Sequence, residues 1–247
     1  MCPSLPTTES LTSLTVEPGV LHIATSDFDA RPMSFITANG QRTGYEPELA
    51  RAVCAQLGLT PVWHNLPMFE FYTCFATGKY DAVWFNQAIT PERQQLVNFT
   101  EPYGLFDEAV LVKKGSGIAS VGDLAGKRVG GLADSTNIAL VEGFPGATAV
   151  PYPGSDQVLP EMLAALRAGE IDALIDDELV LVAAAEDDAS LEIGLTLPTR
   201  VPFAIATPKA NPTLRAALNA AIAATLADGT LGELWAEWIP WKPFPFE

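Results

Sequence analysis

The chain has 247 residues, enough for one large domain or two of ordinary size, and 48% of them are hydrophobic, so it can bury a sizeable core and is not globally disordered. Its formal net charge of −16 repels nucleic-acid phosphates and anionic membrane surfaces, so neither is expected as a partner. No apolar run approaches the roughly 20 residues that a membrane-spanning helix needs.

The first stretch, CPSLPTTESLTSLTVEPG from Cys2 to Gly19, is rich in Ser, Thr and Pro, has no hydrophobic periodicity and reads as a tether over residues 1–19. A cysteine at its head suggests a lipid-modified N-terminus; the alternative is an incidental cysteine in a floppy tail. From Val20, VLHIATSD reads as a strand. EPELARAVCAQLGL follows as a helix, with Leu49, Ala52, Val53 and Leu57 on one face and Gly58 as its stop. TPVWHNL is a second strand, FEFYTCFATG a short helix with Phe71 and Phe75 one turn apart and Gly78 ending it, and DAVWF a third strand. Strands alternating with helices predict a parallel sheet with helices on its faces.

The pattern then restarts. EAVLVKK is a strand; SVGDLAG is a helical turn with Ser120 and Asp123 spaced as a capping box; KRVGGL is a strand; DSTNIALVEGF opens a helix. TAVPYP and IDALI are strands, and SDQVLPEMLAALRAG is a helix whose stripe is Met162, Leu163 and Leu166. DELVLVAAAED is a further helix and RVPFAIATPK a further strand. The next helix is capped by Asn211, with Pro212 at its first position, and its stripe runs Leu214, Leu218, Ala221, Ile222, Leu226. A closing helix carries Leu234, Trp235, Trp238 and Ile239, and these stripes read as core.

One phrase occurs twice: GKYDAVWFNQ from Gly78 and GEIDALIDDE from Gly169. In each, a helix stops at Gly, an Asp (Asp81, Asp172) starts a buried strand, and the strand emerges at polar residues. Ligands of open parallel sheets bind outside the carboxyl ends of the strands, so both phrases aim polar groups at such an edge.

Three cysteines and two histidines form no CxxC pair and no standard zinc spacing; Cys54 and Cys74, on apolar helical positions, read as buried thiols. No GxSxG elbow, P-loop, HExxH or Rossmann fingerprint is present, so no catalytic residue, metal or cofactor is expected.

The segments GYEPELARAV (44–53), GKYDAVWFNQAITPERQQLVNFTEPY (78–103), SVGDLAGKRVGGLADST (120–136), GEIDALIDDE (169–178) and ADGTLGELWAEW (227–238), in this order, resemble the amino-acid-type solute-binding proteins of ABC transporters. The resemblance covers roughly 20–240. It implies the α/β type II periplasmic-binding-protein fold, in which two lobes, each a mainly parallel sheet flanked by helices, are joined by two hinge strands. Lobe 1 is then residues 20–104 plus 203–247, and lobe 2 residues 105–202. It implies a monomeric, extracytoplasmic, non-enzymatic receptor. Such a receptor closes on an amino acid or related zwitterion and delivers it to an ABC permease, with the membrane touched only through a lipid anchor at Cys2.

Burying a zwitterion requires a cation for its carboxylate and an anion for its ammonium. By the resemblance, Arg93 in ITPER is the carboxylate clamp, suited by its planar fork, and Asp177 is the ammonium ligand. Ser135 and Thr136 match the hydroxyl positions of a helix-start clamp, where Asp134 replaces the family's Gly and reads as the helix cap. Ala88 matches a small residue whose backbone meets the ligand carboxylate; Phe85 and Asn86 stand where the family has Gly, Ala or Ser. Asp27 and Phe28 match an entrance contact pair for which Asp29 competes, and Arg31 is a cation beside them. Met68 replaces an aromatic wall. Asp176 and Glu178 read as solvated helix-start charges. Asn86, Gln87, Asp134 and Asp177 tilt the expectation toward a polar or cationic ligand side chain. Two alternatives use the same fold: a cyclohexadienyl dehydratase-like enzyme and a receptor's sensing module.

Overall fold

A computed structural model describes residues 14–153 and 157–246, so Cys2 lies outside the described residues. The chain divides into two units. The first falls within Met1–Asp27, Met33–Leu105 and Pro202–Glu247; the second comprises Phe28–Pro32 and Phe106–Val201. The predicted α/β class holds in both.

In the first unit, β1 (Val20–Thr25) lies parallel to both β4 (Thr60–Asn65) and β5 (Ala82–Ala88). The two-residue strands β2 (Phe35–Ile36) and β3 (Arg42–Thr43) form a small hairpin. Helix α1 (Tyr45–Leu57) buries Leu49, Val53, Cys54 and Leu57, and stops at Gly58, whose φ of 65° is the left-handed turn that glycine makes without strain. The predicted helix over FEFYTCFATG is instead two 3-10 turns, Met68–Glu70 and Cys74–Thr77: its aromatic residues pack as short turns rather than one apolar stripe. Helix α2 (Pro91–Leu96) follows β5, and β6 (Asn98–Phe99) pairs with the end of β11 (Leu191–Thr207), which also runs antiparallel to β5. Helices α6 and α7 come last; the three in between belong to the second unit. In α6 (Pro212–Ala227) the Asn211 side chain accepts from the Leu214 N–H, and Leu214, Leu218, Ala221 and Ile222 are buried. Leu226, the expected end of that stripe, lies 37% exposed because the helix ends one residue later, beyond its packing surface. In α7 (Thr230–Trp238) Trp235 is buried and stacks edge-on to Tyr45. Cys54 and Cys74 are free and buried, and burial pushes both thiols up to about 12.

At the described end of the expected tether Leu14 and Thr15 are buried and the Val16 N–H donates to Asp81, whereas Val16, Glu17 and Pro18 are exposed.

The second unit is built on β7 (Gly104–Lys113), β8 (Arg128–Leu132), β9 (Thr148–Tyr152) and β10 (Ala173–Asp177). β8 is parallel to β9 and β10, and β10 is antiparallel to β7. Helices α3 (Thr136–Val141), α4 (Val158–Ala168) and α5 (Glu178–Asp187) complete it around a core that includes Val110, Val112, Leu124, Val129, Ile138 and Ile175. Strands β7 and β11 each run from one unit into the other.

The doubled phrase has one structural meaning. Gly78 and Gly169 are left-handed stops, at φ 66° and 76°. The Asp81 N–H then donates to the His22 carbonyl (2.9 Å), while its carboxylate accepts from the His22 N–H (2.8 Å). The Asp172 N–H donates to the Arg128 carbonyl (2.8 Å), while its carboxylate accepts from the Arg128 N–H (2.9 Å). In both units the aspartate locks the new strand to the start of its parallel neighbour. The environments differ: Asp81 is buried and also holds the Val16 N–H, whereas Asp172 is partly exposed and braced by the Arg128 guanidinium. Asp81→Ala, which orphans buried donors, is expected to cost about 1–3 kcal/mol, and Asp172→Ala less, because water reaches its partners. Urea unfolding of both variants checks this; equal losses would contradict the burial argument.

Candidate functional site

The exit of β5 gathers four of the expected residues. Thr90 caps α2 by accepting the Arg93 N–H (3.2 Å), and Pro91 occupies the first helical position, so ITPER is a helix start that places Arg93 in the first turn. The guanidinium is held in two ways. Its Nη1 donates to the Ala88 carbonyl (3.1 Å), and its Cζ lies 5.7 Å from the centre of the Tyr72 ring. Tyr72 is fixed in turn by its hydroxyl, which donates to the buried Gln87 side chain, whose amide donates to the Phe85 carbonyl. Burial pushes the Tyr72 hydroxyl up to about 12, against the pull of Arg93. The arrangement presents a planar cation whose direction is set before any anion arrives.

Asn86 has φ 46°, the left-handed region that favours glycine. That is the physical reason a small residue suits this position, and Asn is among the few others that tolerate it. Its N–H donates to the Glu46 carboxylate (2.6 Å). Phe85 is 5% exposed and packs edge-on to Phe71, with ring centres 6.1 Å apart. Met68 is partly buried at the start of its 3-10 turn, beside Phe69, which is exposed.

The entrance loop is divided. Asp27 is exposed and belongs to the first unit, where it contributes to the field at the buried Arg42; Phe28 is buried and belongs to the second. Asp29 is engaged by Arg31 (3.0 Å), so the competitor of Asp27 is taken up in a local ion pair.

In the second unit, Ser135 rather than Asp134 caps α3. Its hydroxyl accepts the Ile138 N–H (3.1 Å) and donates to the Leu132 carbonyl (2.7 Å). The cap expected of Asp134 is corrected, since its φ of 60° turns the chain just before the helix; the position is again one that favours glycine. The Thr136 hydroxyl donates to Asn137 (3.1 Å), and the buried Asn137 amide donates to both Asp176 (3.1 Å) and Asp177 (3.0 Å). Asp177 also donates its own N–H to the Asp176 carboxylate (2.8 Å). The reading of Asp176 as a solvated helix-start charge is therefore corrected: it lies within β10, and burial pushes its carboxyl up to about 6. The α3 start, Asn137 and the two aspartates form one hydrogen-bonded group.

Sequence reasoning missed Tyr72, Glu46 and Asn137. Tyr72 is hidden in an aromatic run that reads as a helix. Glu46 stands within GYEPELARAV, where it looks like one more acidic residue of a helix start. Asn137 follows two hydroxyl residues that draw the attention of a motif search. None has a spacing signal, because each acts on a residue far away in the chain.

Residues 21–240 match the family described as bacterial extracellular solute-binding proteins, family 3, and the chain belongs to that family. Its place is accordingly extracytoplasmic. It is 29% identical over 215 residues to the ABC transporter arginine-binding protein 1 of Escherichia coli (strain K12), covering 85% of this chain and 86% of that protein. It is 30% identical over 218 residues to the histidine-binding periplasmic protein of Salmonella typhimurium, covering 82% and 81%. Among solved structures it is similar to an ancestral arginine-binding protein bound to arginine, with a TM-score of 0.81 at 29% identity over 90% of this chain and 98% of that one. It is also similar to the ancestral amino-acid-binding protein AncCDT-1, a precursor of cyclohexadienyl dehydratase, with a TM-score of 0.80 at 27% identity over 89% and 95%. The fold is that of the two-lobed periplasmic binding proteins, and the biochemical class is a solute-binding protein of ABC transport.

Because the Asp176 carboxyl holds its proton more tightly in the folded chain than in the unfolded one, its contribution to stability falls as pH rises from about 4 to about 6. Asn137→Asp would set a third carboxylate against Asp176 and Asp177 and replace their shared donor. Its folded-state proton affinity is expected to rise too, so its unfolding temperature should drop more than that of the unmodified protein between pH 5 and pH 8. Parallel pH curves would show that the amide does not link the two aspartates.

Proposed function

We propose that this protein captures a free amino acid with a polar or cationic side chain and presents it to an ABC permease. The observation that carries the reading is that each unit holds one charge of opposite sign at a strand exit. At the exit of β5 a cation, Arg93, is held ready by Ala88 and the Tyr72 ring; at the exit of β10 a carboxylate, Asp177, is held by Asn137. An α-amino acid carries one group for each. A buried, hydrogen-bonded guanidinium–carboxylate pair discriminates strongly against ligands that lack the acid.

Ala88, Asn86, Phe85 and Met68 on the first unit, with Asp27 at its entrance, are the residues we assign to shaping the carboxylate side. Ser135 and Thr136, at a helix start, are assigned to a second clamp on the carboxylate and Asp177 to the ammonium side, and Phe28 is the contact from the entrance loop, in the second unit. The acidic balance of that group, with Asp176 beside Asp177, supports a ligand with positive or hydrogen-bond-donating character. The relatives named as arginine-binding and histidine-binding proteins agree with that class.

We read the protein as a receptor rather than an enzyme. The Asp176 carboxyl, whose proton affinity burial raises, accepts from the Asn137 amide and the Asp177 N–H. A thermal-shift screen over the amino acids, followed by calorimetry, is expected to find a basic or amide-bearing ligand. Arg93→Ala should weaken it by about 2–5 kcal/mol with the fold retained. Unchanged affinity in that variant would remove the clamp, and turnover of prephenate or arogenate by the unmodified protein would overturn the receptor reading.

We further propose that Cys2 carries a lipid that holds the receptor at the membrane surface, with the ligand-binding part acting as a monomer. Intact-mass analysis of the native protein should show a lipid adduct on Cys2; a free thiol there would end the proposal.

A further inference from the structure

We propose that Glu46 is a positioning residue for the ligand site: its buried carboxylate holds the Asn86 N–H within the bulge of β5 and so sets the path by which β5 leaves the sheet toward Ala88 and Arg93. The inference rests on the amino-acid reading above and extends it to a residue that need not touch the ligand.

Three observations carry it. First, the pairing of β5 with β11 is irregular here. Phe203 faces Ala88 and Ala204 faces Gln87, but the next pair is Ala206 with Val83, so β5 bulges at Trp84–Asn86. A bulge takes backbone groups out of the ladder and re-aims the strand. Second, Asn86 sits within that bulge at φ 46°, a conformation that a non-glycine residue keeps only when its surroundings hold it. Third, Glu46 is 2% exposed, and its Oε1 accepts the Asn86 N–H at 2.6 Å together with the Tyr103 hydroxyl. Tyr103 is itself pinned: its carbonyl accepts the Tyr45 hydroxyl (2.6 Å) and its N–H donates to the Phe203 carbonyl (3.2 Å). One carboxylate oxygen thus joins the first turn of α1, the bulge of β5 and the residue before β7.

Such a clamp is costly. The second oxygen, Oε2, is buried and meets no hydrogen-bond partner among the described residues. Burial pushes the Glu46 carboxyl up to about 7, opposed by the bonds from Tyr103 and Asn86 and by the positive charge of Arg42. The charged and titratable groups that face it are Arg42 from β3, Tyr45 from its own helix and Tyr103. A chain that needed only stability at this point would do better with an apolar side chain. Retaining a buried carboxyl where the strand bulges points to the geometry it enforces.

The test compares Glu46→Gln, which keeps an oxygen acceptor for the Asn86 N–H, with Glu46→Ala, which does not. L-arginine binding by calorimetry is expected to weaken about tenfold or more in Glu46→Ala and to stay within about threefold in Glu46→Gln. Asn86→Gly removes the need for a clamp, since glycine takes this conformation freely. In that background Glu46→Ala should lose most of its effect on affinity, an interaction that a general loss of packing would not produce. Independently of any ligand, the Asn86 amide resonance of the unmodified protein should titrate near pH 7 and cease to do so in Glu46→Gln. Undiminished arginine binding in a folded Glu46→Ala, or an Asn86 amide indifferent to pH, would overturn the inference. Failure of the unmodified protein to bind L-arginine, L-histidine and L-glutamine alike would instead sink the amino-acid reading and with it the role of Glu46 in a ligand site. The Asn86 titration would still report whether the clamp itself exists.

Discussion

Both units depend on one small interaction. An aspartate at the head of a strand exchanges two hydrogen bonds with a single residue at the start of its parallel neighbour: Asp81 with His22, Asp172 with Arg128. A parallel ladder leaves backbone donors unsatisfied where its strands begin, and a buried orphan N–H is expensive. The carboxylate removes that cost and also fixes the register of the two strands. In β10 that register carries through to the strand's carboxyl end, because a regular strand advances a constant distance per residue, whereas in β5 the bulge at Trp84–Asn86 resets it before the strand emerges.

What emerges there is arranged by departures from regular structure. Asn86 and Asp134 both hold a left-handed backbone, and they fall at positions where the family resemblance leads one to expect small residues. Regular strand and helix geometry directs side chains along fixed faces; a left-handed residue turns the chain so that the next groups point elsewhere. After Asn86 come Ala88 and the start of α2 with Arg93; after Asp134 come the Ser135 cap and Asn137. In both cases a polar side chain from a distant segment secures the result, Glu46 for the first and the Asp176–Asp177 pair for the second. Charge and strain are placed together: buried or partly buried carboxylates hold the backbone at both strand exits.

The order of strands and helices, most helix stops and caps, and the equivalence of the two doubled phrases were legible from periodicity and turn residues alone. Gly58, Gly78 and Gly169 end their elements where the pattern breaks, and Asn211 caps α6. Reading failed where local preference and packing disagree. FEFYTCFATG has helical spacing but folds as two 3-10 turns, and Leu14, in a stretch that reads as tether, is buried, with the Val16 N–H on Asp81. Of the residues proposed for the site and its support, Arg93 and Asp177 are marked by the resemblance of their motifs, whereas Tyr72, Glu46 and Asn137 carry no such mark. A motif is a set of residues close in sequence, and these three act on residues that only the fold brings near.

The sequence by itself determined the α/β class, the restart of the pattern that marks a second unit, the family, and which two charged residues to examine. The class and the restart follow from short-range physics: apolar period, capping and the φ freedom of glycine; the family and the two charged residues come from the resemblance of the motif segments. Only the tertiary structure decided what those charges rest against: the Tyr72 ring and Ala88 carbonyl behind Arg93, the Asn137 amide behind Asp177, and the buried Glu46 behind Asn86. Burial and hydrogen bonding to distant partners set the direction and proton affinity of a polar group. Neither quantity has a local signature in the order of the residues.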